Sequence, residues 1–297
     1  MYDRILVATD GSDAAETAVE SAIRLADRFG SDLCALHVTP PDDGAPPPGS
    51  PDEIDLDALL DDLTARADEH DVPISTAVLS NESGAARTIA GYAADQDVDL
   101  LVMGTQGRTG LGRFVLGSVA ERTLRLAPVP VLMVRTSTPV GELDDVLVAT
   151  DGSEGAAAAV THAVDLAAAA EATLHVVHVV DVTVAWPTGS GGPILDRMEA
   201  AGREAVDRAV DRAERAGVPS VEATLLSGSP YRAIVDYGAD AGVDLTVVGT
   251  HGRSGLDRFL LGSVAERVVR TAGTPVLGVK AADAEPARTD WTDVYEG

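Results

Sequence analysis

Lysine is almost missing from this chain. Its 297 residues hold one, Lys280, against 21 arginines, 32 aspartates and 16 glutamates, for a formal net charge of −26. Residues 1–140 carry 10 basic and 23 acidic groups, and residues 141–297 carry 12 and 25, so the excess covers the whole chain rather than an acidic tail. Such a surface repels phosphate backbones and argues against general nucleic-acid binding. One cysteine, Cys34, leaves no internal disulfide framework, and its apolar setting LCALHV marks a buried thiol. No apolar run approaches the roughly 18 residues of a membrane span. The opening MYDRILVATDGS lacks a cationic, then apolar, then small-residue signal pattern, so a cytoplasmic location is expected. A P-loop is missing too: it needs a lysine after its second glycine, and Lys280 lies in the last predicted strand. No Ser/His/Asp or Cys/His set recurs. His175 and His178, three apart in a predicted strand, point to opposite faces and do not form a metal pair.

What is present is written twice. ILVATDGS at 5–12 returns as VLVATDGS at 146–153, and the 31 residues from Gly104 to Val134 match Gly249–Val279 at 21 positions. Length and repeat together predict two domains, 1–137 and 144–280, with a linker at 138–143 and a C-terminal tail at 281–297. Within each copy, short β-branched runs alternate with helical patterns. Ala18, Ala22, Leu25 and Phe29 form one helix face ended by Gly30, and Leu56, Leu59, Leu60 and Leu63 form another. The second copy has a longer second helix, preceded by GSGGP at 189–193, which reads as a flexible connection. Alternation of this kind implies parallel strands with right-handed crossovers. Strands apolar on both faces imply helices on both sides. The expected fold is α/β: two tandem, doubly wound domains, each with a five-stranded parallel sheet. In such sheets ligands bind beyond the carboxyl ends of the strands.

Two recurring segments follow strands and fall on that side. TDGS at 9–12 and 150–153 offers Asp10 and Asp151, suited to a ribose hydroxyl, a metal or a helix cap, with Ser12 a second cap candidate. The other spaces its glycines as Gly104-x2-Gly107-x9-Gly117-Ser118, and again as Gly249-x2-Gly252-x9-Gly262-Ser263. Glycine lets backbone N–H groups approach phosphate oxygens, and a helix start offers unpaired donors to an anion. Ser118 is placed to bind phosphate or to cap its helix. A glycine-rich turn that only closes the connection is the plain alternative. Local charge favours a ligand: Arg108, Arg113, Arg122 and Arg125 stand against Glu121 alone, and Arg253, Arg258, Arg267 and Arg270 against Asp257 and Glu266. Arg108 and Arg253, inside the loops, are the phosphate candidates. Arg122 and Arg125 are suited to pairing with surface acids.

At these residues the sequence closely resembles the universal stress protein family in its ATP-binding class, over roughly residues 1–135 and 142–280. VATDGS, GTxGRxGL…GSVAE and the closing PVLxV strand carry the likeness. It implies an adenine nucleotide alpha hydrolase-like, Rossmann-like fold. It also implies ATP, or another adenine nucleotide, in each half, with Mg2+ where phosphates require it. Ala8, Thr9 and Asp10 would lie against adenine and ribose, Val38 would meet adenine, and Met103, Gly104, Gly107, Arg108, Gly117, Ser118 and Val119 would surround ribose and phosphates. The matching set is Ala149, Thr150, Asp151, Val179, Val248, Gly249, Gly252, Arg253, Gly262, Ser263 and Val264. Gln106 stands where the second copy has His251, so the two sites are not identical. In this family the last strand commonly pairs across a dimer, which implies Val131–Val134 against Val276–Val279 within one chain; a homo-oligomer of whole chains is also compatible. The implied function is nucleotide-controlled conformation or partner choice in a stress response, the protein partner being unspecified. A slow ATPase and a dimerising scaffold with a structural nucleotide are the alternatives. The aspartate excess without lysine is similar to proteins of extreme halophiles, in which salt screens the self-repulsion.

Overall fold

The computed structural model describes residues 1–39, 55–107, 116–136, 138–182, 191–250 and 261–281. The first half runs β1 (Arg4–Thr9), α1 (Asp13–Phe29), β2 (Asp32–Thr39), α2 (Leu56–Asp68), β3 (Ile74–Ser80), α3 (Ala85–Asp95), β4 (Leu100–Gly104), α4 (Ser118–Leu126) and β5 (Val131–Val134). The second repeats the order as β6 (Asp145–Ala149), α5 (Glu154–Ala170), β7 (Thr173–Val180), α6 (Gly191–Ala216), β8 (Ser220–Ser227), α7 (Pro230–Ala241), β9 (Leu245–Gly249), α8 (Ser263–Thr271) and β10 (Val276–Val279). The boundaries follow local chemistry. Ser12 caps α1 by accepting from the Ala15 N–H, and Gly30 ends it in the left-handed region at φ 65°. Ser153 does the same for α5 through Ala156 N–H. Gly191, Gly192 and Pro193, expected in a flexible connection, form the first turn of α6, where proline's missing N–H costs no hydrogen bond. Residues 40–54, 189 and 190, and the tail beyond 281 lie outside the described residues.

Each half is a five-stranded parallel sheet, as its alternation of strands and helices requires, but the two do not stay separate. They join as one ten-stranded sheet in the order β3-β2-β1-β4-β5-β10-β9-β6-β7-β8. The join is antiparallel, with Met133 opposite Val276, Leu132 opposite Leu277 and Val131 opposite Gly278. It follows from the position of β5 and β10: each is the apolar edge of its own half, and pairing satisfies two rows of backbone groups at once. Helices α1, α2, α5 and α6 cover one face, with a core that runs unbroken from Ala22 and Val134 through Leu143 to Val164. Helices α3, α4, α7 and α8 cover the other. Among the described residues, no helix is long and apolar enough to cross a membrane.

Side chains extend the join. Tyr2 Oη lies 2.8 Å from His162 Nε2, and Arg28 Nη2 donates to the Ala170 carbonyl at 2.5 Å. Burial raises the Tyr2 pKa and lowers that of His162. Just past each central strand a basic residue reaches across to the other half. Arg135 donates to the Arg270 carbonyl at the end of α8, and Lys280 donates to the Arg125 carbonyl at the end of α4. Each helix C-terminus, where carbonyls lack intrahelical partners and the dipole is negative, is thus closed by the opposite half. Glu121 accepts from Arg125 in its own helix and from Arg270 at 3.3 Å across the join. The copies are not interchangeable here. Gly278 stands where the first copy has Met133, and a Cβ on it would come 2.6 Å from Leu124 Cδ1. His175 occupies the place of Cys34: Cys34 Sγ lies 3.2 Å from Tyr92 Oη, and His175 Nδ1 lies 3.0 Å from Tyr237 Oη. His175 also reaches Asp145 Oδ1 at 2.9 Å, whereas His178 donates to a backbone carbonyl on the opposite face.

Desolvation lowers the Lys280 pKa from 10.5 to about 8. Below pH 8 both folded and unfolded chains are protonated there, and the half-buried ammonium is a constant penalty. Between 8 and 10.5 the unfolded chain holds more proton, so rising pH stabilises the folded one. Urea unfolding should show wild type gaining stability relative to Lys280→Met across that interval; a flat difference would refute the desolvation. Gly278→Met should lose about 1–3 kcal/mol by overpacking against α4, read from the same unfolding curves.

Candidate functional site

The first wall is the turn after β1. Thr9 is buried at the strand end, and Gly11 takes φ 71°, which lets the chain reverse into α1. Asp10 Oδ1 accepts from the Ser12 N–H at 3.1 Å and from its hydroxyl at 2.6 Å. Cap and aspartate therefore form one unit: Ser12 caps the helix and Asp10 holds Ser12. The second copy repeats this, Asp151 Oδ1 accepting from Ser153 N–H at 3.0 Å and from its hydroxyl at 2.5 Å. Below each turn a buried imidazole supports the backbone. His37 Nδ1 donates to the Thr9 carbonyl at 3.0 Å, and His178 Nδ1 to the Thr150 carbonyl at 2.8 Å. Sequence reasoning missed these two histidines as a pair. The signal was there: they occupy one position of the repeat, each just before Val38 or Val179.

The second wall is the glycine loop, described at both ends. Thr105 N–H donates to the Val134 carbonyl at 2.8 Å, and the Thr105 carbonyl accepts from Gly117 N–H at 2.8 Å. Thr250 repeats both contacts, to Val279 at 2.8 Å and from Gly262 at 2.7 Å. The loop is thus pinched at its neck and anchored to the strand that joins the halves. Gly117, not Ser118, is the N-cap residue of α4; it has extended backbone and provides no side-chain cap, and Gly262 stands likewise before α8. Ser118 is the first helical residue and is exposed, as is Val119. The first-turn N–H groups stand at the loop neck with no intrahelical carbonyl in reach. The walls meet at Gly107, where a Cβ would come 2.7 Å from Asp10 Oδ2, and Ser12 Oγ lies 3.4 Å from the Gln106 carbonyl.

Not every expected residue faces this space. A Cβ at Gly104 would come 2.8 Å from the Ala14 backbone carbon, and one at Gly249 would come 2.6 Å from the Gly155 carbonyl oxygen. Those glycines let the start of α1 or α5 cross the strand end, a packing role. Met103 and Val248 are buried in the core on the α3, α4, α7 and α8 side, leaving only backbone for a ligand. Ala8 is buried there too, while Ala149, Val38, Val179 and Val264 are half-buried against that core. Arg108, Gly252 and Arg253 lie outside the described residues. Counting every arginine toward a positive site overstates it: Arg125 and Arg270 sit at helix C-termini with Glu121 and Glu266, and the Arg267 guanidinium carbon lies 5.2 Å from the Tyr231 ring centre.

The comparison with known proteins fits this doubled geometry. Residues 1–135 and 142–280 each match the universal stress protein family. The chain belongs to that family. A universal stress protein of Mycolicibacterium smegmatis is 28% identical over 292 residues, covering 93% of this chain and 96% of its own length. One from Methanocaldococcus jannaschii is 39% identical over 138 residues, 46% of this chain and 81% of that protein. Among solved structures, a putative universal stress protein from Pseudomonas aeruginosa superposes with a TM-score of 0.67 at 24% identity, covering 95% of this chain and 94% of that one, a likeness of fold. Tandem universal stress proteins thus share the two-copy architecture. The two kinds of glycine predict separable effects. Gly104→Ala should destabilise the fold by about 1–3 kcal/mol through backbone overlap. Gly117→Ala, with its Cβ no closer than 3.4 Å to any neighbour among the described residues, should cost less than Gly104→Ala, about 0.5–1 kcal/mol for alanine at an N-cap. Thermal denaturation of both variants checks this; equal losses would refute the distinction.

Proposed function

We propose that this universal stress protein binds an adenine nucleotide, ATP, in each of two domains, 1–137 and 144–280, and that occupancy sets its conformation or its choice of protein partner in a cytoplasmic stress response. One observation carries the reading: the uncapped N-terminus of α4 opens at a pinched glycine neck beside Asp10, and the pinched neck and uncapped helix start recur at α8. That combination suits a phosphate chain at the helix start and a ribose at the carboxylate. Val38 and Val179, half-buried at the next strand end, offer an apolar edge for a base. Arg108 and Arg253 are assigned to phosphate from their place in the glycine loop. For Mg2+ the fit is partial. Among the described residues no group of three His, Cys, Asp or Glu side chains forms a metal cluster. The ion would be held by phosphate oxygens and water, with Asp10 or Asp151 as the protein ligand.

Binding is favoured over turnover. Asp10 and Asp151 are bonded to Ser12 and Ser153, which suits positioning better than proton abstraction. Protein purified at high salt and then denatured should release adenine nucleotide identifiable by mass spectrometry. ATP should bind in calorimetry, and Gly117→Ala with Gly262→Ala should weaken it at least tenfold without loss of fold. No released nucleotide together with no calorimetric binding would overturn the reading. Conversion of ATP to ADP that disappears in the double variant would favour the slow ATPase instead.

A further inference from the structure

Between α5 and α6 lies a groove of about 610 Å³ that touches the nucleotide reading only at the Thr150–Ser153 turn. That size falls within the roughly 300–1,000 Å³ typical of small-molecule sites. Its floor is apolar, with Ala157, Val160 and Val164 from α5 and Ala209 from α6. Its rim on α6 carries Arg208, Arg212 and Arg215, spaced four and three residues apart and therefore on one helix face. On a chain of net charge −26, three arginines along one apolar groove select for negative charge. Their existing pairs are loose and exposed: Arg208 is 3.9 Å from Glu204 and Arg215 is 3.7 Å from Asp211. Among the described residues Arg212 has no ion pair. Asp165 is, among the described residues, the one carboxylate lining the groove, and it sits toward the far end of α5, which directs an anion to the opposite end, near Gly152. There a Cβ on Gly152 would lie 3.6 Å from Arg208 Nη2, so the guanidinium already overhangs that end. The feature belongs to the second copy: α6 has 26 residues where α2 has 13.

The dimensions limit the occupant. From Ala205 to Ala216 the groove follows α6 for about 16 Å. An extended alkyl chain matches that length. We infer that the groove is a second ligand site, built for a slim anionic amphiphile whose alkyl chain lies along Ala157 and Val160 and whose phosphate or carboxylate head meets Arg208 and Arg212. The arginine stems add to the apolar wall while their heads reach the anion. The inference does not depend on the nucleotide reading.

Calorimetric titration of the full chain, with each amphiphile below its micelle concentration, tests it. Decyl phosphate or decanoate should bind at one equivalent, the tighter of the two identifying the head group. Decanol and inorganic phosphate should bind at least tenfold more weakly, since each lacks one half of the match. Arg208→Gln with Arg212→Gln should weaken the amphiphile at least tenfold. Ala157→Phe, placed on an exposed groove position, should block it while circular dichroism stays unchanged. No saturable binding of either amphiphile, equal binding of decanol, or binding untouched by both variants would overturn the proposal.

Discussion

The antiparallel contact between β5 and β10 is the constraint on which the rest of the molecule depends. Three residue pairs from two four-residue strands turn a pair of half-sheets into one sheet of ten strands. Strands that short would be marginal alone. They hold because each is the buried edge of a five-stranded half and because the core continues beneath them from one half to the other. Arg135 and Lys280, one step past the strands, are then delivered to the ends of the opposite α8 and α4. The glycine necks hang from the same strands through Thr105 to Val134 and Thr250 to Val279. Assembly of the halves and presentation of the candidate ligand loops thus share one pair of β-strands.

Glycine serves opposite ends in this design. At Gly104 and Gly249 it removes a side chain so that two backbones cross. At Gly117 it keeps a helix start uncapped, with room left over. The turn after β1 supplies the complementary rigidity: Asp10, Ser12 and His37 fix donors and acceptors around Thr9, so its geometry is set before any ligand arrives. In the second half the Thr150–Ser153 turn has a further neighbour, since Thr150, Gly152 and Ser153 also line the α5–α6 groove.

Much of the fold was legible because it was written twice in strong local signals. Gly30 as a helix stop, the apolar runs of β1 and β6, and the parallel alternation all follow from residue periodicity. The resemblance added the pairing of the last strands, which periodicity cannot supply because it depends on what meets an edge. The start of α6 was misjudged because Gly191 and Gly192 read as loop, and a helix can begin on such residues when Pro193 follows. At the site, spacing located the loops but could not sort the glycines, since the role of Gly104 depends on Ala14, which is 90 residues away in sequence. The supporting role of His37 and His178 depends on a carbonyl 28 residues away along the chain, beyond the reach of any local pattern.

A symmetric dimer must fit itself: any change in one contact surface appears on both sides of the axis. Here both surfaces are encoded separately, and the short passage from Val134 to Asp145 keeps them at high effective concentration whatever the amount of protein. Met133 and Gly278, and Arg135 and Lys280, show the result, each pair being one ancestral position with two solutions. Gly278 can be hollow because Leu124 fills it, and no copy of Gly278 has to fit a second Gly278. Duplication in one chain has released the interface from self-complementarity, and the two halves are free to become different organs of one molecule.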